Sequence, residues 1–302
     1  MIPLRSESIL HTEDISDIDK QRIDVVMCTY NSNKPYFRLV LKSVKHEAPI
    51  NNFIVIDKHS HDGTLSVVRE IFPDATMIRC SCNLAYARYL GIKQVETSWF
   101  MFLNDDAILL PGWFHAIKRL LVLPNVGAIE GSHVYILQNS RPLQRKSVLK
   151  LKYPINHVNA SMVVHRGLFA LTRGMLISTL LRKDIVADWK PHPNQGSLED
   201  YSITQHIIGR GYLWAVAQNA ITLHVGWVMP KSNYEGIIAE LKKGMWDGSN
   251  THFVEIPKDM LALHLVARCI ASLLKGQITR LAYPIGYIIG YLSGIRYCEL
   301  KR

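Results

Sequence analysis

Apolar and polar positions come in alternating blocks along the first third of the chain. "IDVVMCTY" (23–30), "NFIVIDK" (52–58), "ATMIRC" (75–80) and "WFMFLND" (99–105) are short, nearly continuous apolar runs that read as buried strands. Between them, "YFRLVLKSVKHE" (36–47), "GTLSVVREIF" (63–72) and "AYARYLGIKQVE" (85–96) read as helices. Strands without an exposed polar face, alternating with helices, predict an α/β fold with a Rossmann-like, mainly parallel central sheet covered by helices on both faces. Further on, "RGLFALTRGMLI" (166–177) reads as strand and turn, and "LEDYSITQHIIGRGY" (198–212) as a helix that opens on acids and stops at glycines.

In a sheet of this kind ligands bind beyond the carboxyl ends of the strands, and the polar clusters fall there. "CTYNSNK" follows the first strand, "DKHSHDGT" the second and "NDD" the fourth, with Arg88 on the intervening helix. Thr29 and Tyr30 offer backbone amides and hydroxyls to a base and ribose, and Asp57 can accept from a base imide or a ribose hydroxyl. Asp62 reads as an Asx-turn cap for the next helix. Asn104, Asp105 and Asp106 break an otherwise apolar stretch. Adjacent carboxylates repel, and half-buried ones are costly without a cation. Their hard oxygens suit Mg2+ or Mn2+, and such an ion would bridge them to a diphosphate. An N-D-D triplet alone is also a common surface turn.

Composition narrows the classes. The 302 residues, 48% of them hydrophobic, suffice for a large core in one or two domains. A formal net charge of +10 fits an anionic partner: nucleic acid, a phosphorylated small molecule or an acidic membrane surface. No aromatic platform or reader motif supports nucleic acid, so none is expected as a partner. There is no G-x-G-x-x-G after the first strand, no phosphate-binding G-x-x-x-x-G-K-[ST], no G-x-S-x-G and no H-E-x-x-H. Five cysteines, without zinc or framework spacing, are expected to be reduced. Residues 1–20 are polar and acidic, neither signal peptide nor membrane segment, and are expected to be a loosely ordered lead-in that stays in the cytoplasm.

Taken together, "VVMCTYNSN", "FIVIDKHSHDGT" and "CNLAYARYLGIKQVETSWFMFLNDDAILLPGWF" resemble the nucleotide-sugar-dependent glycosyltransferases of family 2, which have the GT-A fold. The later "GSLEDYSITQHIIGRGYLWAVAQNAITLHVG" is similar to that family's E-D helix, G-Y strand and trailing histidine, so the likeness spans about 23–226. It implies an inverting transfer from a UDP- or GDP-sugar. Thr29, Tyr30, Asn31, Asp57, Arg88 and Asn104 would bind the donor, and Asp105 would meet the ribose or diphosphate. Asp106 would be the principal ligand of Mn2+ or Mg2+, with His224 as second ligand. Asp200 would be the catalytic base and Glu199 its acceptor- or phosphate-side neighbour. His224 also reads as a structural histidine, and Glu199 and Asp200 as first-turn acids that favour the helix dipole. Asn104, Lys58 and Tyr89 depart from the family pattern, which keeps open a non-catalytic, donor-binding scaffold.

Three regions are expected: the lead-in 1–20, a glycosyltransferase domain 21–256 and a helical, membrane-associating tail 257–302. Residues 258–302 hold seven Lys or Arg against Asp259 and Glu299. "LAYPIGYIIGYLSGI" (281–295) is uncharged, but its 15 residues fall short of the ~20 that span a bilayer. With Tyr283, Tyr287 and Tyr291 every four residues, it suits a helix in the headgroup region, a hairpin with 261–274, or a tail packed on the core or on a second copy. "RPLQRKSVLKLK" (141–152), with five basic and no acidic residues, reads as a solvated loop or a surface for a phosphate-bearing acceptor. Trp227, Tyr234 and Trp246 read as an acceptor wall or as core. The expected acceptor is a glycan or polyprenyl-linked lipid, reached from the inner face of a membrane.

Overall fold

The computed structural model describes residues 21–137, 174–227, 233–254, 258–274, 276 and 278–293. The basic stretch 141–152 and the lead-in 1–20 lie outside the described residues, as does all of 166–177 except its last four residues. The first half follows the alternation: β1 (Ile23–Thr29), α1 (Phe37–Glu47), β2 (Ile50–Asp57), α2 (Thr64–Ile71), β3 (Thr76–Arg79), α3 (Leu84–Gln94) and β4 (Trp99–Leu103). Then come β5 (Ala107–Leu109), α4 (Trp113–Ile117), β6 (Val126–Leu137), β7 (Ser178–Arg182), α5 (Lys183–Val186), α6 (Glu199–Gly209) and β8 (Leu213–Trp227).

One eight-stranded sheet runs in the order β3-β2-β1-β4-β7-β6-β8-β5. The strands β3-β2-β1-β4 are parallel. Their burial explains the continuous apolar runs, since successive residues face two covered layers. Val25 and Met27 pack with Phe37, Val40, Leu41 and Val44 of α1, and Val26, Phe100 and Phe102 with Ala87 and Ile92 of α3. Each such large buried side chain contributes about 1.5–3 kcal/mol. Gly91 lets α3 approach, because a Cβ there would sit 2.3 Å from Val26 Cγ1. The chain builds outward from β1 to β3 and then crosses back to β4 on the other side of β1, opening a crevice between the carboxyl ends of β1 and β4.

The other half is mixed: β7 runs antiparallel to β4 and to β6, β8 parallel to β6, and β5 antiparallel to β8. Only Asn104–Asp106 separate β4 from β5, although β7, β6 and β8 lie between them in the sheet. That link reaches at most about 15 Å, less than the roughly 19 Å that four flat strand spacings occupy. The sheet therefore curls, and the acidic triplet closes the curl.

Three more helices follow: α7 (Asn233–Asn250), α8 (Lys258–Leu274) and α9 (Ala282–Ser293). α9 packs on α7 at backbone distance, since a Cβ on Gly248 would lie 2.2 Å from Tyr287 O and one on Gly290 2.1 Å from Met245 O. Tyr283 and Tyr287 are buried in this contact, with Leu261 and Leu265 of α8 against them. Tyr283 donates to Asp247 (2.9 Å) and lies beneath the Arg268 guanidinium. Among the described residues no helix is long and apolar enough to cross a membrane.

Cysteine usage needs a correction. Cys80 and Cys82 form a disulfide, against the expectation of reduced thiols, because the chain path across Ser81 brings their Cα atoms to 5.2 Å. Cys28 and Cys269 are free, and burial pushes the Cys28 thiol up to about 11.

Candidate active site

The two loops beyond β1 and β2 are braced by one buried carboxylate. Asp57 accepts from Thr29 Oγ1 (2.8 Å), Ser60 Oγ (2.5 Å) and Ser60 N (2.8 Å). Asn31, at φ 50°, donates its N–H to Ser60 Oγ and accepts from His61 N through Oδ1. Asp62 accepts from Thr64 N at 3.1 Å, the Asx turn that opens α2. Thr29 and Asp57 are thus buried and hold the loops, while Tyr30 is left exposed with the Lys58 ammonium 5.8 Å above its ring. A cavity of about 290 Å³ opens here, lined by Thr29, Tyr30, Ile56, Lys58, Leu84, Ala87 and Asp105, with Cys28 and the Cys80–Cys82 pair on its wall. A larger hollow of about 590 Å³ lies at the amino end of β4, beside Arg182 and Asp184, which pair with each other. The polar clusters gather at the smaller one.

Within the acidic triplet the residues differ. Asn104 N is tied to Ile177 O (2.8 Å), and its side-chain oxygen accepts from Arg88 Nη2 (3.3 Å). Asp105 faces the cavity and accepts from the Ser32 hydroxyl. Burial pushes the Asp105 carboxyl up to about 6; the Ser32 hydrogen bond opposes this and the neighbouring Asp106 charge adds to it. Asp106 turns toward β8. The pairing of Ala107 with His224 sets its Oδ1 3.0 Å from His224 Nε2. That oxygen is buried and has no hydrogen-bond donor among the described residues.

These two side chains fit a divalent cation. With a protonated imidazole they form an ion pair; with a neutral one they present nitrogen and oxygen lone pairs to the same point. Two ligands at about 2.1 Å on adjacent corners of an octahedron stand about 3.0 Å apart. Among the described residues no group of three or more His, Cys, Asp and Glu forms a cage. A Mg2+ or Mn2+ ion here would complete its shell with phosphate and water, as these ions do on nucleotides.

Arg88, expected at the donor, is buried inside the site. Besides Asn104, it donates to Leu176 O (3.4 Å), pairs through Nε with Glu199 Oε1 (3.3 Å) and lies over the Phe102 ring. Glu199 and Asp200 open α6 directly after Leu198, which sits at φ 62°. Both acids are nearly buried, and Asp200 Oδ1 accepts from Tyr201 N (2.8 Å).

Sequence reasoning missed Glu130. Its Oε2 accepts from Met175 N (2.9 Å) and Trp214 Nε1 (2.8 Å), and His133 Nδ1 lies 3.5 Å from Oε1. Burial pushes its carboxyl up to about 7; the two hydrogen bonds oppose this, and the Asp200 charge adds to it. His133, 3.3 Å from Ser178 Oγ, is driven down to about 4 by burial and by His224. A lone Glu within "GAIEGSH" carries no motif, and only strand pairing reveals it. Of the expected acceptor wall, Tyr234 is exposed and Trp246 half-buried on α7, while the Trp227 side chain lies outside the described residues.

The sequence profile of glycosyl transferase family 2 matches residues 24–178, just over half of the chain, running from β1 through the acidic triplet to β7. The chain belongs to glycosyl transferase family 2. No curated protein sequence is significantly similar to it. Solved structures share its fold. The mannosyltransferase PcManGT from Pyrobaculum calidifontis, in complex with GDP-Man and Mn2+, aligns at a TM-score of 0.57 and 16% identity, over 90% of this chain and 87% of that one. S. aureus TarS 1–349 aligns at 0.52 and 14% identity, over 93% and 92%. The same TarS segment with UDP-GlcNAc aligns at 0.51 and 16% identity, over 73% and 66%. At such identities the likeness is one of fold, and it identifies the curled α/β sheet of this family 2 chain as GT-A.

Proposed function

We propose that this family 2 protein transfers a sugar from a UDP- or GDP-sugar to an acceptor hydroxyl or phosphate, with inversion, using Asp200 as base and Asp106 with His224 as metal ligands. The observation that carries this reading is the Asp106–His224 pair at the mouth of the curl, beside a cavity of about 290 Å³ lined by Asp105. The base and ribose would lie in that cavity against Tyr30 and Lys58, with Asp105 toward the ribose or diphosphate. A bound Mn2+ or Mg2+ ion supplies Lewis-acid stabilisation of the charge that gathers on the departing diphosphate. The Asp200 carboxylate takes the acceptor proton as that oxygen attacks the anomeric carbon from the face opposite the nucleotide. Glu199, paired with Arg88, fixes the start of α6 so that the base keeps its aim. The structures with GDP-Man and with UDP-GlcNAc support a nucleotide-sugar donor in this fold. The basic segments of the chain support an acceptor at a membrane, such as a polyprenyl-linked lipid or a growing glycan, reached from the cytoplasmic face.

The test is calorimetry of UDP- and GDP-sugars with and without Mn2+, followed by a turnover assay on membrane extracts that reads released nucleoside diphosphate. Metal-linked binding with turnover is expected. Metal-linked binding without turnover on any acceptor would assign a donor-binding scaffold, and no metal-linked binding would remove the site.

A further inference from the structure

We infer that α8 and α9 form a docking face for an anionic phospholipid surface. Fifteen large hydrophobic side chains are exposed among the described residues, and nine of them fall between Val266 and Leu292. They are ordered by helical period. Among the described side chains the exposed large hydrophobics are Val266, Ile270, Leu273 and Leu274 on α8 and Ile285, Ile288, Ile289 and Leu292 on α9. Each set recurs at steps of three and four residues, so each is one stripe on one side of its helix. Ile278 and the exposed Arg280 lie in the connection between them.

The stripe on α9 has no place to turn. Its opposite side is taken by Tyr283 and Tyr287, which are buried, and by Gly286 and Gly290, whose backbones meet the Leu241 and Met245 carbonyls of α7. Turning the isoleucines inward would force that contact apart. The tyrosines, which by spacing suit the headgroup region, are thus committed to packing, and the isoleucines and leucines carry the face. No described helix can cross a bilayer, so insertion is limited to the depth of a helix lying along the surface.

Charge selects the occupant. By sequence, residues 258–302 carry seven Lys or Arg against two acids. Among the described side chains Arg280 is exposed beside the stripes, while Arg268 is turned inward onto Tyr283 and Glu240. Two copies meeting through this face would bring like-charged segments together. An anionic lipid surface instead attracts the basic residues of this segment, in addition to removing the apolar stripes from water. The inference goes beyond the donor-site reading and does not depend on it.

The experiment is co-sedimentation of the full chain, without sugar donor, with vesicles of phosphatidylcholine alone or containing phosphatidylglycerol. Binding to the phosphatidylglycerol vesicles is expected, weakened by added salt. Ile285→Glu with Ile289→Glu should lower partitioning by about tenfold or more, as should Leu273→Glu with Leu274→Glu, both at unchanged far-UV circular dichroism and Tm. Absence of vesicle binding by the wild-type chain would overturn the inference. So would binding that neither double variant weakens. A self-association in sedimentation velocity that the same substitutions abolish would assign the face to a second copy instead.

Discussion

The two halves of the curled sheet make different kinds of site. In the parallel half, each polar group stands at the end of its own strand, and the loops satisfy themselves through Asp57, Ser60, Asn31 and Thr64. In the mixed half, no loop is complete alone. His224 reaches Asp106 only because β5 pairs with β8, and Glu130 is held by Met175 and Trp214 from distant parts of the chain. Under the proposed transfer the first half would receive the donor, in the cavity lined by Tyr30, Lys58 and Asp105. The second, where long-range pairing gathers Asp106, His224, Glu130 and Asp200, would hold the ion and take the proton in that transfer.

The division can be broken most sharply at α6. Asp200→Asn should lower turnover by about 10³-fold or more while donor affinity stays near wild type, read by rate assay and calorimetry side by side. A loss of donor binding instead would move Asp200 out of the catalytic half. Next, His224→Ala should weaken Mn2+-linked donor binding by about 100-fold while leaving metal-free nucleotide binding unchanged in calorimetry. Equal loss in both conditions would mean the histidine only packs.

A third prediction concerns pH. The Glu130 carboxyl is raised from 4.5 to about 7 on folding. Below 4.5 it is protonated in both states. As the pH rises toward 7 the unfolded chain gives up this proton and the folded chain keeps it, so stability falls across that window and levels off above it. Glu130→Gln mimics the protonated acid and should flatten the decline by up to about 3 kcal/mol. His133, depressed to about 4, acts in the opposite sense, losing stability as pH falls from its ordinary 6.5 toward 4. The difference between the Tm–pH curves of wild type and Glu130→Gln isolates the glutamate, and superimposable curves would refute its assignment.

The mildest test concerns neither half of the sheet. Gly248→Ala should separate α7 from α9 and cost about 1–3 kcal/mol in thermal unfolding, with metal-linked donor binding unaltered. A loss of donor binding would tie the helical unit to the site.

The same contrast governs what the sequence discloses. Periodicity locates β1–β4 and α1–α3 to within about two residues because each element carries its own apolar pattern. The triplet 104–106 is visible because it interrupts such a pattern. Glu130 and the antiparallel strands are not, since their meaning depends on partners more than 40 residues away, such as Met175 and Trp214. Helix α7 was not anticipated either: "NYEGIIAELKKGMWDGSN" has glycines that oppose a helix locally, and its stability comes from the close approach of α9. The Cys80–Cys82 pairing likewise follows from a local backbone path that composition does not encode.

Arg88 joins the two halves. One buried guanidinium holds Asn104 at the head of the acidic triplet, the Leu176 carbonyl beside β7, and Glu199 at the start of α6. Under the proposed transfer, the ion-binding corner and the proton acceptor therefore share one rigid mount, and their alignment is set during folding. The orientational entropy that a looser site would lose at each turnover is spent once, when the chain folds.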